Sequence, residues 1–157
     1  MERLEVKATL TAGEKGQIAG YASLFGRPAD AVRDVVKAGA FRKSLADAMP
    51  QMLAEHQGAP VGEWEEVVED DMGLRVKGRF DLTSPAGRKA YEDVSSGRRS
   101  GLSIGYLATK AGRAPDGARI LEEITLVEIS VVENPASSRA RVLSVKSDKA
   151  KEDELSE

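Results

Sequence analysis

The chain has 157 residues, the size of one ordinary domain, and 41% of them are hydrophobic, which is enough for a single core. It has no cysteine, which excludes disulfides, thiolate metal sites and a cysteine nucleophile and is typical of a reducing compartment. The net charge is −3, with both signs spread along the chain, and no apolar run could span a bilayer. We therefore expect a soluble, cytoplasmic protein that binds neither nucleic acid nor membrane.

The N-terminal third is predicted to form strands followed by one helix. Alternating apolar residues indicate a strand over residues 4–10, and a second extended segment covers residues 17–26 after a turn-rich stretch. A charged edge segment over residues 31–39 leads into residues 40–49. The apolar spacing there predicts a short amphipathic helix that ends before Pro50.

The middle of the chain predicts a hairpin and then a second helix. Strands over residues 61–71 and 73–82 are joined by a tight turn. The helix over residues 85–96 has the clearest signals, because Ser84 can cap its first turn and Gly97 can adopt the left-handed conformation that ends it. Few of its residues are apolar, which favours a helix on the surface.

Two long strands are predicted over residues 101–110 and 118–132, with a loop over residues 111–118 between them. Residues 146–157 are polar and charged without apolar periodicity, so we expect a disordered tail and one folded domain over residues 1–145. Strands follow one another in hairpin-like pairs rather than in βαβ units. The pattern predicts a mainly β (α+β) fold, a small antiparallel β-barrel with a few flanking helices.

Two residues stand out as candidates for catalysis. His56 is the single histidine of the chain, and it could act as a general base but cannot form a histidine-based metal site by itself, so we expect no metal. Alternation along the strand puts Gly101, Ser103 and Gly105 on one face, where a substrate backbone could approach the hydroxyl closely. On the residues alone, a packed histidine and a packed serine are the more frequent interpretations.

A serine nucleophile needs a base, and the base needs an orienting group. Glu128 shares one face of its predicted strand with apolar residues, and a carboxylate there is costly to bury unless it is paired. Pairing with His56 would offset that cost, whereas the wet face of an edge strand is the alternative interpretation. Glu55 and Asp81 are weaker candidates for the orienting role.

Several segments, taken in order, resemble the prohead (capsid maturation) serine proteases of tailed bacteriophages. They are IAGYASLFG, VVKAGAFRKSL, MLAEHQGAPVGEW, DMGLRVKGRF, GRRSGLSIGY and LVEISVVENPASSRARV. The resemblance covers roughly residues 2–145. This family is similar in architecture to the herpesvirus assemblins, so the resemblance implies a small β-barrel wrapped by helices.

The resemblance also implies roles for individual residues. It gives His56 as the base and Ser103 as the nucleophile, with Ser100 on the adjacent turn as a nearby competitor. An acidic third member is implied in LVEISVV, where Glu128 lies. Assemblins use a second histidine there, and this chain has none, so an acid fills the role or the site works as a dyad. The matching loop NPASSRARV implies Arg139 or its neighbouring backbone amides as the oxyanion donor.

The function implied by the resemblance is that of a cofactor-free serine endopeptidase in phage prohead maturation. It would cleave the scaffold segment of the major capsid protein, and itself, inside the assembling prohead in the host-cell cytoplasm. The portal is a further candidate partner, a homodimer is compatible with the resemblance, and the charged tail would be a self-cleavage or packaging segment.

Two other functions are weighed against the protease. A catalytically inactive scaffold or assembly protein could keep the same fold, but it would not need the serine, the histidine and the acid together. A β-barrel binding module is disfavoured because three Phe, three Tyr and one Trp are few for a base-stacking platform. The short basic clusters Arg98-Arg99 and Arg139-Arg141 are interpreted as solvated loop charges.

Overall fold

The computed structural model of the chain describes residues 2–6, 10–12, 14–26 and 34–133, and within these the strands form one nine-stranded sheet. The strands are β1 (Glu2–Val6), β2 (Leu10–Ala12), β3 (Gln17–Leu24), β4 (Asp34–Val36), β5 (Gln51–Ala54), β6 (Gln57–Glu69), β7 (Gly73–Phe80), β8 (Gly101–Arg113) and β9 (Arg119–Val132). The helices are α1 (Arg42–Asp47) and α2 (Pro85–Ser95), with a 3-10 turn at Glu14–Gly16. No helix of this part of the chain is both long and apolar enough to cross a bilayer.

The sheet curls because its two end strands are close neighbours along the chain. The strand order is β1-β8-β9-β5-β6-β7-β3-β2, with β4 beside β9. From Val6 to Leu10 the chain can span at most about 14 Å, which keeps the two ends of the sheet near each other. The prediction of a mainly β fold with a barrel-like sheet and few helices is therefore confirmed. The single strand predicted over residues 4–10 is wrong, since β1 pairs with β8 whereas β2 pairs with β3.

The sheet is mostly antiparallel, as predicted, but two of its strand pairings are parallel, and both lie on one edge of β9. There β4 pairs with the first residues of β9 and β5 with residues near its end, in both cases in parallel. Between them, the Ser44 hydroxyl accepts the backbone N–H of Leu126 at 2.8 Å, and the Ala40 carbonyl accepts that of Ile124 at 3.0 Å. The chain from β4 through α1 to β5 thus follows β9 along its length and satisfies its edge amides.

Helix α2 begins and ends as its sequence predicts. The Ser84 hydroxyl accepts the backbone N–H of Gly87 at 2.9 Å, and Gly97 has a φ of 86°. The helix is less superficial than predicted, because it packs against β6 and β7. The residues on its buried side are Gly87, Ala90, Asp93 and Val94.

The core lies inside the curled sheet and extends to the strands that carry the candidate residues. Its largest fully buried side chains include Tyr106, Phe41, Phe80, Ile104 and Ile129. Trp64 on β6 donates its indole N–H to the Ile129 carbonyl at 3.2 Å, which ties β6 to β9 next to Glu128. Burial raises the pKa of Tyr106 to about 12, with Glu2 and Asp34 adding to the effect, so its hydroxyl stays neutral at physiological pH.

Candidate active site

The register of β8 and β9 collects four small or polar residues on one face. Ser103 lies opposite Ser130, and Gly105 lies opposite Glu128. Because residues two apart on a strand share a face, the two pairs are neighbours on that face. The register of β8 and β9 therefore places the predicted serine beside the predicted acid.

His56 reaches this face from a two-residue turn between β5 and β6. Ala54 pairs with Gln57, so Glu55 and His56 form the tip of the hairpin. Both have positive φ values, 53° and 64°, in a turn position that normally favours Asn or Gly. Since the last residues of β5 pair with Ser130 and Val131, the turn that follows lies beside Ser130, whose hydroxyl accepts the backbone N–H of His56.

The imidazole of His56 contacts both other candidates. Its Nε2 lies 2.7 Å from Ser103 Oγ, and its Nδ1 contacts Glu128 Oε2. A carboxylate only accepts hydrogen bonds, so this arrangement requires the proton on Nδ1 and leaves Nε2 free to accept from the hydroxyl. Ser103 has 0% exposed surface, and the side chains of His56 and Glu128 are 5% and 2% exposed.

Comparison with known proteins shows which family the chain belongs to. Residues 2–154 match the caudovirus prohead serine protease family. The chain belongs to that family. It is 32% identical over 142 residues to the prohead protease of Enterobacteria phage HK97, an alignment that covers 86% of the chain. The chain spans 62% of the length of that curated relative.

A solved structure supports the fold independently. The bacteriophage T4 capsid assembly protease matches with a TM-score of 0.60 over 86% of this chain and 100% of that one, at 15% identity. At 15% identity, this match shows that the two proteins share a fold. The curled sheet described above is therefore shared with a phage capsid protease.

Gly105 and Gly101, the two glycines predicted to let a substrate approach Ser103, have different surroundings. A Cβ atom on Gly105 would overlap the Glu128 carboxylate, Oε2 first, so the glycine makes room for the acid that contacts His56. The space beside Gly105 is thus filled by Glu128 and is not open to a substrate. Gly101 is buried at the start of β8, opposite Val132, and its contact with substrate stays a prediction.

The remaining candidates lie elsewhere or outside the described residues. The Asp81 carboxylate accepts from the backbone N–H and the hydroxyl of Thr83, at 3.0 and 2.6 Å, in the turn before α2. Ser100 directly precedes β8, whereas the imidazole Nε2 is in contact with Ser103. Arg139, the domain boundary at residue 145 and the predicted tail all lie outside the described residues.

The interpretation of Arg99 as a solvated loop charge is wrong. Its side chain is only 16% exposed, it contacts the Glu55 carboxylate, and its Nε lies 3.2 Å from Asp93 Oδ2. Glu55 also accepts the backbone N–H of Glu133 at 2.7 Å, so it braces the turn rather than orienting the imidazole. Arg98, by contrast, is 59% exposed and pairs with Glu133 at 2.9 Å.

The sequence analysis missed the part played by Ser130, although the alternation of a strand puts residue 130 on the same face as Glu128. The hydroxyl of Ser130 is fully buried and bonded to both His56 and Glu128. Two polar residues at i and i+2 on an otherwise apolar strand face were the available signal, because neither is cheap to bury without the other.

Proposed function

We propose that the protein is a serine endopeptidase in which Ser103 is the nucleophile, His56 the general base and Glu128 the orienting carboxylate. The observation that carries the proposal is the 2.7 Å contact between His56 Nε2 and Ser103 Oγ, on a ring whose Nδ1 contacts a buried carboxylate. This is the arrangement that serine acyl transfer requires.

The proposed reaction has two halves. As Ser103 Oγ attacks the peptide carbonyl, His56 Nε2 takes the hydroxyl proton and then gives it to the leaving amine, so the peptide C–N bond breaks and an ester forms. Water then attacks the ester, loses a proton to Nε2, and releases the carboxylic acid as Ser103 regains its proton. Glu128 stabilises the imidazolium in both halves. Arg139, or backbone amides near it, remains our candidate for the oxyanion donor.

Access to the nucleophile is part of the proposal. Because Ser103 has no exposed surface, a substrate carbonyl can reach its hydroxyl only when the residues around it move. Burial also removes competing water from the His56–Glu128 contact, which strengthens the electrostatic interaction between them. We therefore expect turnover to depend on an opening step as well as on the chemistry.

The names of the similar proteins suggest the substrates. One is a prohead protease and another a capsid assembly protease. We propose that this chain cleaves capsid-assembly proteins, above all the scaffold segment of the major capsid protein, and that it also cleaves itself. It would act inside the assembling prohead within the host cell. The portal is a further candidate partner, and a homodimer is compatible with this function.

The test is co-expression of the protease with the major capsid protein that carries its scaffold segment. We expect the wild-type chain to remove the segment and Ser103→Ala to leave it intact, as judged by mass spectrometry of the capsid protein. Ser100→Ala is the matched control, since this serine lies three residues away, and we expect it to cleave normally. Scaffold removal that continues in Ser103→Ala would refute the proposal and leave an assembly role without catalysis.

A further inference from the structure

The hydroxyl of Ser130 connects the two partners of the imidazole. It accepts the backbone N–H of His56 at 3.0 Å and donates to Glu128 Oε1 at 2.6 Å. Ser130 has 0% exposed surface. One buried oxygen atom therefore bonds both to the backbone that carries the base and to the carboxylate that the base contacts.

The first of these bonds holds a backbone conformation that the local sequence does not favour. Glu55 and His56 both have positive φ, a conformation that is unfavourable for residues other than glycine unless the surroundings hold it. The backbone N–H of Glu55 bonds to the Val131 carbonyl at 3.1 Å, and that of His56 bonds to Ser130 Oγ. Both amides of the turn are thus fixed to β9.

The second bond fixes the carboxylate. Glu128 has two oxygens, and Ser130 occupies Oε1 while the imidazole occupies Oε2. Gly105 provides the space in which the group lies. A carboxylate bonded at both oxygens cannot rotate about its terminal bond without losing both contacts, so Oε2 is held toward Nδ1.

We infer that Ser130 is a positioning residue that holds the His56 turn and the Glu128 carboxylate in register, and so keeps the imidazole in the tautomer with Nδ1 protonated. The effect of Ser130 on the rate of cleavage rests on the proposed function. Its effect on the tautomer does not, because that follows from the hydrogen bonds alone.

The single histidine of the chain makes the tautomer directly measurable. In protein labelled with ¹⁵N-histidine, the shifts of the two ring nitrogens report which one carries the proton. We expect predominantly protonated Nδ1 in the wild type. In Ser130→Ala we expect a mixture of the two tautomers, because the hydrogen bonds of this hydroxyl to the His56 backbone and to the Glu128 carboxylate are both lost.

Ser23 provides a matched control. It is 1% exposed on β3, and among the described residues its hydroxyl has no hydrogen-bond partner, so Ser23→Ala removes a buried hydroxyl without breaking a bond. We expect Ser23→Ala to keep the wild-type ring shifts. Ser130→Cys replaces the hydroxyl with a somewhat larger thiol, a much weaker donor and acceptor, and it serves if Ser130→Ala does not fold. We expect it to show the same mixture of tautomers.

The kinetic measurement is separate from the spectroscopic one. With the scaffold-bearing capsid protein as substrate, we expect Ser130→Ala to lower kcat by about tenfold to a hundredfold with KM nearly unchanged. Wild-type ring shifts in folded Ser130→Ala or Ser130→Cys would overturn the inference. An inactive wild type would refute the proposed function, and the ring shifts would still decide on Ser130.

Discussion

Gly105→Ala is expected to lower kcat for capsid-protein cleavage by roughly 10³- to 10⁴-fold while the protein stays folded. The added methyl group would occupy the space of the Glu128 carboxylate, whose Oε2 is the atom in contact with His56 Nδ1. The carboxylate must then turn away, and the imidazole loses the group that fixes its tautomer. The cost in stability is that of one overpacked methyl group, about 1–3 kcal/mol, which is small beside the loss in rate.

Two comparisons separate this effect from a general disturbance of β8. Gly112 lies on the same strand, and a Cβ atom there would meet only the carboxylate of Glu122, first its Oε2 at 3.0 Å, on a partly exposed side chain that can move. Gly112→Ala should therefore cleave normally. In a Glu128→Ala background, Gly105→Ala should have little further effect, because its target is already absent. Equal losses from Gly105→Ala in both backgrounds would contradict the account.

Arg99→Met is expected to lower the free energy of unfolding by about 2–3 kcal/mol at neutral pH. The arginine joins the loop before β8 to Glu55 in the histidine turn and to Asp93 on α2, and it is largely buried. Its removal takes away the arginine partner of both carboxylates in a partly desolvated site, and Asp93 then keeps only its ion pair with Lys89. Urea denaturation measures the change. Arg98→Met is the matched control, and we expect little effect because its ion pair is exposed.

Acid should reduce this difference between wild type and Arg99→Met. Burial acts to raise the pKa of Asp93, but the hydrogen bonds and charges of Lys89 and Arg99 outweigh it and hold the pKa below its usual value. A lowered folded-state pKa stabilises the fold above the unfolded-state pKa, about 3.9, and this contribution is lost as the pH falls through the folded-state pKa. The two unfolding free energies should therefore converge below about pH 4. A gap that widens in acid would be inconsistent with this origin.

The long elements were predictable because their signals are local. Alternation predicted β6, β7, β8 and β9, and the cap at Ser84 with the glycine at residue 97 predicted α2. The strand β5 was not predicted, since four residues after a proline show no clear alternation. Its parallel pairing with β9 depends on the whole path of the chain from β4 onward, which no local pattern contains.

The residues of the site could be predicted from the sequence, but the contacts that hold them in place could not. The family resemblance and the strand alternation indicated Ser103, His56 and Glu128, which the fold brings into contact. The Glu55–Arg99 pair joins residues 44 positions apart in sequence, and each looks like an ordinary surface charge in its own segment. The left-handed turn at Glu55 and His56 could not be predicted either, because neither residue is the glycine or asparagine that normally indicates such a turn.

The most direct test of the proposed chemistry is to find which serine becomes covalently modified. A fluorophosphonate would be added while the capsid protein is being cleaved, and the adduct would be located by peptide mass mapping. We predict one adduct, on Ser103, which disappears in His56→Ala because the hydroxyl then has no base. Modification of Ser100 or another serine instead, or modification of Ser103 that does not depend on His56, would contradict the account.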